Sequence, residues 1–181
     1  MSPFVFMGIN LLIVEADGLF RLNLSRRLRL QRYRVFEAEQ QADARKILER
    51  KKIDVVLLGL NGLKRQGLLL LERIKKIRPL TEVIIINTSE YLSLSIEGMK
   101  LGAFDDVFLP LNMDSLAERI QEAYRLKKKN EKTKKSLLRR YQDVMVAATF
   151  AEAGEPDIAR EFLPKEKGLP TGATTSRTKA S

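Results

Sequence analysis

The chain has 181 residues, 44% of them hydrophobic and 31% charged, which allows one globular domain with an appendage and excludes wholesale disorder. It contains no cysteine and no histidine, so a disulfide framework, a cysteine nucleophile or metal site, a histidine base and a phosphohistidine are all excluded. The formal net charge of +10 is uneven, because residues 1–124 hold 19 Lys and Arg against 16 Asp and Glu, whereas residues 125–181 hold 14 against 7.

Short apolar runs occur at intervals in the first 124 residues. Residues 2–14 are uncharged and mostly apolar, but they lack a basic leader and are too short to span a membrane, so we expect a short extension and a buried strand. The runs at 11–14, 55–58 and 83–86 are continuous, which is typical of parallel strands covered on both faces. Weaker strands are predicted at 33–38 and 106–109.

Five amphipathic segments follow these strands, and their apolar residues are predicted to pack on the sheet. They are Phe20, Leu24 and Leu28; Ala44, Ile47 and Leu48; Leu70, Leu71, Ile74 and Ile77; Leu92, Ile96 and Met99; and Leu116, Ile120 and Ala123. A βα unit repeated five times predicts an α/β fold with a doubly wound, five-stranded parallel sheet. The site of such a fold lies at the carboxyl ends of the strands, here at Glu15, Ala16, Asp17, Gly59, Asn87 and Leu109.

Three motifs carry a resemblance to a known family. They are the run 11–17 ending in Glu15-Ala16-Asp17, the run 54–61 with Gly67 downstream, and Gly102-Ala103-Phe104-Asp105 leading to Leu109-Pro110. In this order, over residues 1–124, they resemble the receiver domain of bacterial response regulators. The resemblance implies a flavodoxin-like (βα)5 module that accepts a phosphoryl group from a histidine kinase on an aspartate, with Mg²⁺ held by neighbouring acids.

Residues that this chemistry needs are replaced. Gly59 stands at the phosphoacceptor position and has no side chain to phosphorylate, and Ala16 stands where the resemblance implies a carboxylate ligand of Mg²⁺. Mg²⁺ is usually anchored by one or two carboxylates, so we expect its binding to be lost and no cofactor to be bound. Asp17 and Glu15 are alternative acceptor and ligand candidates, but we interpret them as exposed loop acids near a helix N-terminus.

The remaining switch positions depart from the family as well. Leu109 stands at the position of the lysine before the proline and is expected to extend the buried apolar surface. Asn87 stands at the position of the Ser or Thr, and Asp106 at that of a mobile aromatic. Thr88 lies one residue further on, where a strand presents its opposite face, so its hydroxyl is not expected to substitute.

The fifth predicted helix continues past residue 124 as a basic extension over 125–142. Steps of four and three residues connect Leu116, Ile120, Ala123, Lys127, Asn130, Lys134, Leu137, Tyr141, Val144 and Ala148. This spacing is compatible with a parallel coiled-coil homodimer, although the polar middle equally fits a single solvated helix or a linker. No aromatic residue lies within the basic cluster, so nucleic acid or an anionic membrane surface is not the favoured partner.

A helical hairpin is predicted over 143–163, with Gly154 ending its first helix and Pro156 opening its second. The apolar residues Val144, Phe150, Ile158 and Phe162 are expected to pack on the long helix, a second subunit or another protein. Residues 164–181 are rich in Gly, Pro, Thr, Ser and Lys and are predicted to be disordered.

The sequence therefore predicts a stand-alone cytoplasmic protein that resembles a response regulator and is not an enzyme. It is expected to act without phosphorylation by binding signalling proteins such as a histidine kinase or another response regulator, with a possible homodimer through the C-terminal helix. Two alternatives stay open: a genuine phosphorelay member with atypical phosphate chemistry, and a basic helix that binds nucleic acid or an anionic membrane surface.

Overall fold

The computed structural model describes residues 8–163. Its sheet consists of β1 (Asn10–Val14), β2 (Arg34–Ala38), β3 (Val55–Gly59), β4 (Glu82–Asn87) and β5 (Asp105–Phe108). Neighbouring strands are all parallel, in the order β2-β1-β3-β4-β5. The predicted doubly wound sheet is confirmed, while the extension expected before β1 falls largely on residues 1–7, outside the described range.

Seven helices connect or follow the strands within residues 8–163. They are α1 (Gly18–Leu30), α2 (Gln41–Arg50), α3 (Leu60–Leu63), α4 (Arg65–Ile77), α5 (Leu92–Lys100), α6 (Met113–Glu152) and α7 (Pro156–Phe162), with a 3₁₀ turn at Ser89–Tyr91 before α5. None of these helices combines the length and apolar character needed to cross a bilayer.

Two apolar cores lie on the two faces of the sheet. Successive residues of β1 alternate between them, since Leu12 packs with α2 and α4 whereas Leu11 and Ile13 pack with α1 and α6. Because both faces of the sheet are covered, β1, β3 and β4 are almost entirely apolar and buried, as the continuous runs predict.

Helix α5 presents the opposite face from the one predicted. Leu92, Ile96 and Met99 are 51%, 50% and 40% exposed, so the expectation that they pack on the sheet is wrong. The fully buried positions of α5 are Ser95 and Gly98. A Cβ atom added to Gly98 would lie 2.3 Å from Ile85 Cδ1, so α5 approaches β4 too closely for a larger side chain, and its larger apolar residues remain outside.

The first part of the proposed coiled-coil seam is already occupied. Leu116, Ile120 and Ala123 of α6 are at most 1% exposed and belong to the core beside α1. These residues pack on the chain's own sheet and are not available to a second copy. A seam that begins at residue 116 is therefore wrong, and a homodimer would have to use residues further along α6.

Lys127 occupies the next position of this seam and is also buried. Its Nζ atom donates to Asp54 Oδ1 at 2.6 Å and to the carbonyl of Ile53 at 2.9 Å, and both charged side chains are about 5% exposed or less. Lys127 is therefore a structural cation of the folded domain, not a member of a solvated basic cluster. The chain divides by its contacts after Lys132, later than the boundary at residue 124 predicted from the sequence.

The second unit contains a two-helix hairpin made by the end of α6 and by α7. Gly154 has φ of +82° between the helices, and Pro156 opens α7, as the sequence pattern indicates. The small residues Ala147 and Ala159 are buried, and the rings of Phe150 and Phe162 stack with centroids 5.8 Å apart. The predicted disordered end at 164–181 lies outside the described residues.

Candidate functional site

The predicted site residues lie at the carboxyl edge of the sheet. Glu15, Ala16 and Asp17 follow β1, Gly59 ends β3, Asn87 ends β4, and Leu109 follows β5. The strand order reverses between β1 and β3, and a crevice at such a reversal is the usual site of a doubly wound fold. The topology therefore places the β1 and β3 residues on either side of that point.

Glu15 and Gly59 occupy one space. A Cβ atom built on Gly59 would lie 1.9 Å from Glu15 Oε2 and 2.8 Å from Glu15 Cδ, far inside van der Waals contact. The Glu15 carboxyl group thus fills the volume in which a side chain at position 59 would begin. An acidic acceptor at 59 and the present position of Glu15 are mutually exclusive.

Glu15 forms hydrogen bonds through its carboxyl group and through its backbone. Its Oε1 atom accepts the Asp17 N–H at 2.9 Å, and its backbone N–H donates to the Ala38 carbonyl at 3.1 Å. The Arg21 guanidinium donates to the Glu15 carbonyl oxygen. Glu15 is only 6% exposed, so the prediction that it is an exposed loop acid is wrong.

The pKa of Glu15 is raised. Burial is the largest cause, and the negative charge of Asp17 adds to it, whereas the backbone N–H groups of Asp17 and Ala16 and the charge of Arg21 act in the opposite direction. The protonated form of the Glu15 carboxyl group is therefore more favoured in the folded chain than it is for a glutamate in water.

Ala16 and helix α3 are also in close contact. A Cβ atom on Gly62 would lie 2.6 Å from the Ala16 methyl group, so the backbone of α3 passes close to position 16. Mg²⁺ requires several oxygen ligands in near-octahedral geometry. A methyl group at 16, no side chain at 59 and a Glu15 carboxyl turned into the space of residue 59 do not fit that requirement. Within residues 8–163, no three acidic side chains converge on one point.

Asp17 has a structural role. Its Oδ1 atom accepts the N–H groups of Leu19 at 2.9 Å and Phe20 at 3.0 Å, which makes Asp17 the N-cap of α1. An aspartate N-cap satisfies donors that the helix itself leaves unpaired. The exposed position and the helix-terminal role expected for Asp17 are those observed.

Asn87 is fully buried and its amide is saturated. Nδ2 donates to the Tyr91 carbonyl at 2.7 Å and to Ser95 Oγ at 3.0 Å, while Oδ1 accepts the Thr88 N–H at 2.9 Å. The side chain therefore joins the end of β4 to the start of α5. Its described hydrogen bonds are all made within this connection.

Thr88 and Asn61 form a contact that the sequence reasoning missed. The Thr88 hydroxyl donates to Asn61 Oδ1 at 3.3 Å, and Asn61 lies in α3, directly after β3. The hydroxyl is therefore bonded to a neutral amide. A polar residue two positions beyond Gly59 was the only sequence signal for this contact.

Leu109 packs with the core beside α1 and α6 but is only partly buried. Its N–H donates to the Asn87 carbonyl at 2.9 Å, and the Leu109-Pro110 peptide bond is cis. The expected apolar contact is present. The position is nevertheless half open, so it does not form a sealed pocket.

A parallel sheet in this order, with its site at the β1 and β3 ends, defines a flavodoxin-like α/β module. The family model of the response regulator receiver domain matches residues 11–121. The chain belongs to this receiver domain family and is a signalling module of the two-component type.

Curated relatives agree with this assignment. The chain is 32% identical over 127 residues to a putative NtrX-like response regulator of Rickettsia felis, covering 67% of this chain and 27% of that protein. It is 31% identical over 115 residues to the transcriptional regulatory protein GlrR of Escherichia coli, covering 63% of this chain and 26% of that protein. The chain thus spans about a quarter of the length of these relatives.

Solved structures show the same fold. A response regulator receiver domain from Clostridium thermocellum superposes with a TM-score of 0.63 at 28% identity, covering 67% of this chain and 98% of that one. The NtrX structure from Brucella abortus gives a TM-score of 0.66 at 22% identity and covers 74% of this chain and 30% of that one. Both similarities show the receiver fold over the share of the chain that they cover.

Proposed function

We propose that this protein is a receiver-like module that signals without being phosphorylated and acts by binding other proteins. The observation that carries the proposal is the shared volume of Glu15 and Gly59. Phosphoryl transfer to a carboxylate needs an acceptor, a divalent cation and cationic groups around the phosphoryl oxygens. Gly59, Ala16 and Leu109 supply none of these, so the proposal also includes no enzymatic activity and no bound Mg²⁺.

The exposed apolar face of α5 supports a binding role. Leu92, Ile96 and Met99 form a stripe at helical spacing on the outside of the domain. The partners we propose are signalling proteins of the same pathway, such as a histidine kinase or a second response regulator, in the cytoplasm. The stripe lies on α5, which packs closely on β4 at Gly98. This close packing keeps the three side chains in a fixed arrangement, as a binding surface requires.

A phosphoryl mimic tests the loss of phosphorylation. Adding beryllofluoride with Mg²⁺, or a small phosphodonor with Mg²⁺, should leave the mass of the protein and its amide NMR spectrum unchanged. Asp17→Asn is the matched variant, because Asp17 is an exposed acid directly after Glu15 and Ala16 at the end of β1. A phosphoryl adduct that the Asp17→Asn variant lacks would overturn the proposal and would favour atypical phosphorelay chemistry.

The end of α6 offers a second surface, which we propose to be a homodimer contact. Leu137, Tyr141 and Val144 are 59%, 62% and 44% exposed and follow one another in steps of four and three residues. That spacing continues the seam into the second unit of the chain. A closed twofold dimer would bury these residues symmetrically.

Sedimentation of three proteins tests the dimer. The full chain should be a dimer at micromolar concentration, and a truncation after Lys132 should be a monomer that keeps the buried Lys127. Leu137→Asp should also be monomeric, whereas Lys132→Asp should not change the mass. If the full chain is a monomer the homodimer is wrong, and if the truncation is a dimer the receiver domain carries the contact.

A further inference from the structure

A groove between α2 and α4 is unrelated to the crevice at the sheet edge. It has a volume of about 170 Å³ and its floor is formed by Leu48, Leu70 and Ile74, with Ile77 at one side. The three floor residues are at most 8% exposed, so they belong to the core, while Ile77 is 57% exposed. An engineered apolar cavity of roughly 150 Å³ is known to hold benzene, so this groove has room for about six to eight carbon atoms.

The rim of the groove is positively charged. Arg45, Arg73 and Arg78 line it together with one acid, Glu49. Arg45 is 3.4 Å from Glu49 in an exposed pair within one helix, a kind of pair that contributes little to stability. The lining therefore carries an excess of positive charge over an apolar floor.

Two of these arginines have N–H groups that are available to a ligand. Arg78 uses Nη2 to donate to the Leu48 carbonyl at 3.1 Å, which leaves its other N–H groups available. Arg73 has no ion pair or side-chain hydrogen bond within the part of the chain that the structure describes. A guanidinium group binds a carboxylate through two parallel N–H bonds, which makes it selective for that planar anion.

We propose that this groove binds a small carboxylate with an apolar body of about six to eight carbons. The apolar body would lie on Leu48, Leu70 and Ile74, and the carboxylate would accept from Arg73 and Arg78. The arginines of the rim favour an anion, and the apolar floor favours an apolar chain. A polar anion lacks the apolar chain, and an uncharged alcohol lacks the charge. The arginines are exposed, so the affinity is expected in the millimolar range. The inference does not depend on whether the protein is phosphorylated.

Octanoate is the probe, because its chain matches the groove and its concentration can stay below micelle formation. Titration of the full chain should give saturable amide NMR shifts centred on Leu48, Leu70 and Ile74. Octanol, with the same chain and no charge, should bind more than about tenfold more weakly, because it loses the charge-assisted hydrogen bonds to both Arg73 and Arg78. Octylammonium should not bind at the groove.

Variants at exposed positions keep the test independent of folding. Arg73→Gln should weaken octanoate binding about fivefold to tenfold, and Ile77→Asp should weaken it further by placing a negative charge beside the floor. Arg26→Gln, an exposed arginine on α1, should leave binding unchanged. The proposal is overturned if octanoate shifts do not saturate, if they centre on the apolar stripe of α5, or if Arg73→Gln and Arg26→Gln behave alike.

Discussion

Lys127 Nζ lies 2.6 Å from Asp54 Oδ1, and the two side chains are 4% and 5% exposed. Asp54 precedes β3, so the pair joins α6 to the amino edge of the sheet, opposite the Glu15 crevice. Asp54 Oδ2 also accepts the Asn10 N–H at 2.9 Å, which ties β1 to the same carboxylate. Glu131 is close to both Lys127, at 3.8 Å, and Lys52, at 3.7 Å.

Replacing Lys127 by methionine should destabilise the fold strongly. Methionine retains much of the packing but leaves the Asp54 charge buried without its partner, a loss that typically costs about 3 to 5 kcal/mol. The free energy of unfolding from urea titration measures the effect. Lys132→Met, an exposed lysine on the same helix, is the control and should change stability by less than about 0.5 kcal/mol. An unchanged urea midpoint for Lys127→Met would show that Asp54 is solvated instead.

The raised pKa of Glu15 predicts a pH-dependent stability. The folded chain holds the Glu15 proton more tightly than the unfolded chain, whose reference value is 4.5. The contribution of Glu15 to the free energy of unfolding is therefore complete below the pKa of the unfolded state. It is lost as pH rises through the higher pKa of the folded state. Glu15→Gln cannot ionise, so its stability relative to the parent should be greater at pH 7 than at pH 4.

Urea unfolding of the parent and of Glu15→Gln, at a series of pH values from 4 to 7, gives that difference directly. Glu90→Gln changes an exposed glutamate and serves as the control, since its stability difference should vary little over this range. A Glu15→Gln difference that is flat with pH would mean that the Glu15 carboxyl group is in contact with water.

Restoring an acidic side chain at position 59 should be destabilising by itself. Gly59→Asp places a Cβ atom within 1.9 Å of Glu15 Oε2 and adds a second carboxylate. The atoms that the new Cβ meets are at the end of the Glu15 side chain, so a turn of that side chain can relieve part of the clash, while two neighbouring carboxylates still repel each other; we expect a loss of about 1 kcal/mol. The double variant Gly59→Asp with Glu15→Ala removes the clash and should recover most of the lost stability. Equal stability of the single and double variants would contradict the shared-volume relationship.

Leu109→Lys should have a small effect. Leu109 is partly buried, so a lysine can keep its methylene groups on the apolar surface and extend its ammonium group to water. We expect a loss of about 1 kcal/mol or less in the free energy of unfolding, measured in urea. Val107→Lys, another partly buried member of the same core, is a comparison within β5. A larger loss at Leu109 than at Val107 would show that position 109 is enclosed.

The order of the elements could be predicted because continuous apolar runs indicate buried strands and helical spacing indicates amphipathic helices. The face that α5 turns towards the sheet could not be predicted. Leu92, Ile96 and Met99 follow a helical stripe as regular as that of a buried face, and only the close approach of Gly98 to Ile85 reverses it. A short helix with small residues on one side and apolar residues on the other does not reveal its inner face from sequence.

The site could be predicted in part. The residues at the strand ends were found because topology alone places them there, and the absence of side chains at Ala16 and Gly59 is plain from the sequence. The burial of the Glu15 carboxyl group could not be predicted, because it depends on the side chain turning into the space beside Gly59, a residue far from it in the sequence. Similarly, the burial of Lys127 depends on its meeting Asp54, a residue far from it in the chain.

The shared volume of Glu15 and Gly59 makes the effects of changes at these two positions interdependent. An aspartate at position 59 would meet the Glu15 carboxyl group in its present position and is expected to lower stability. A shorter residue at position 15 alone would leave an unfilled space beside Gly59, which also costs stability. A change at either position alone is therefore expected to destabilise the fold more than the paired change does. The packing at this edge of the sheet thus makes positions 15 and 59 epistatic, so that the residue tolerated at one depends on the residue at the other.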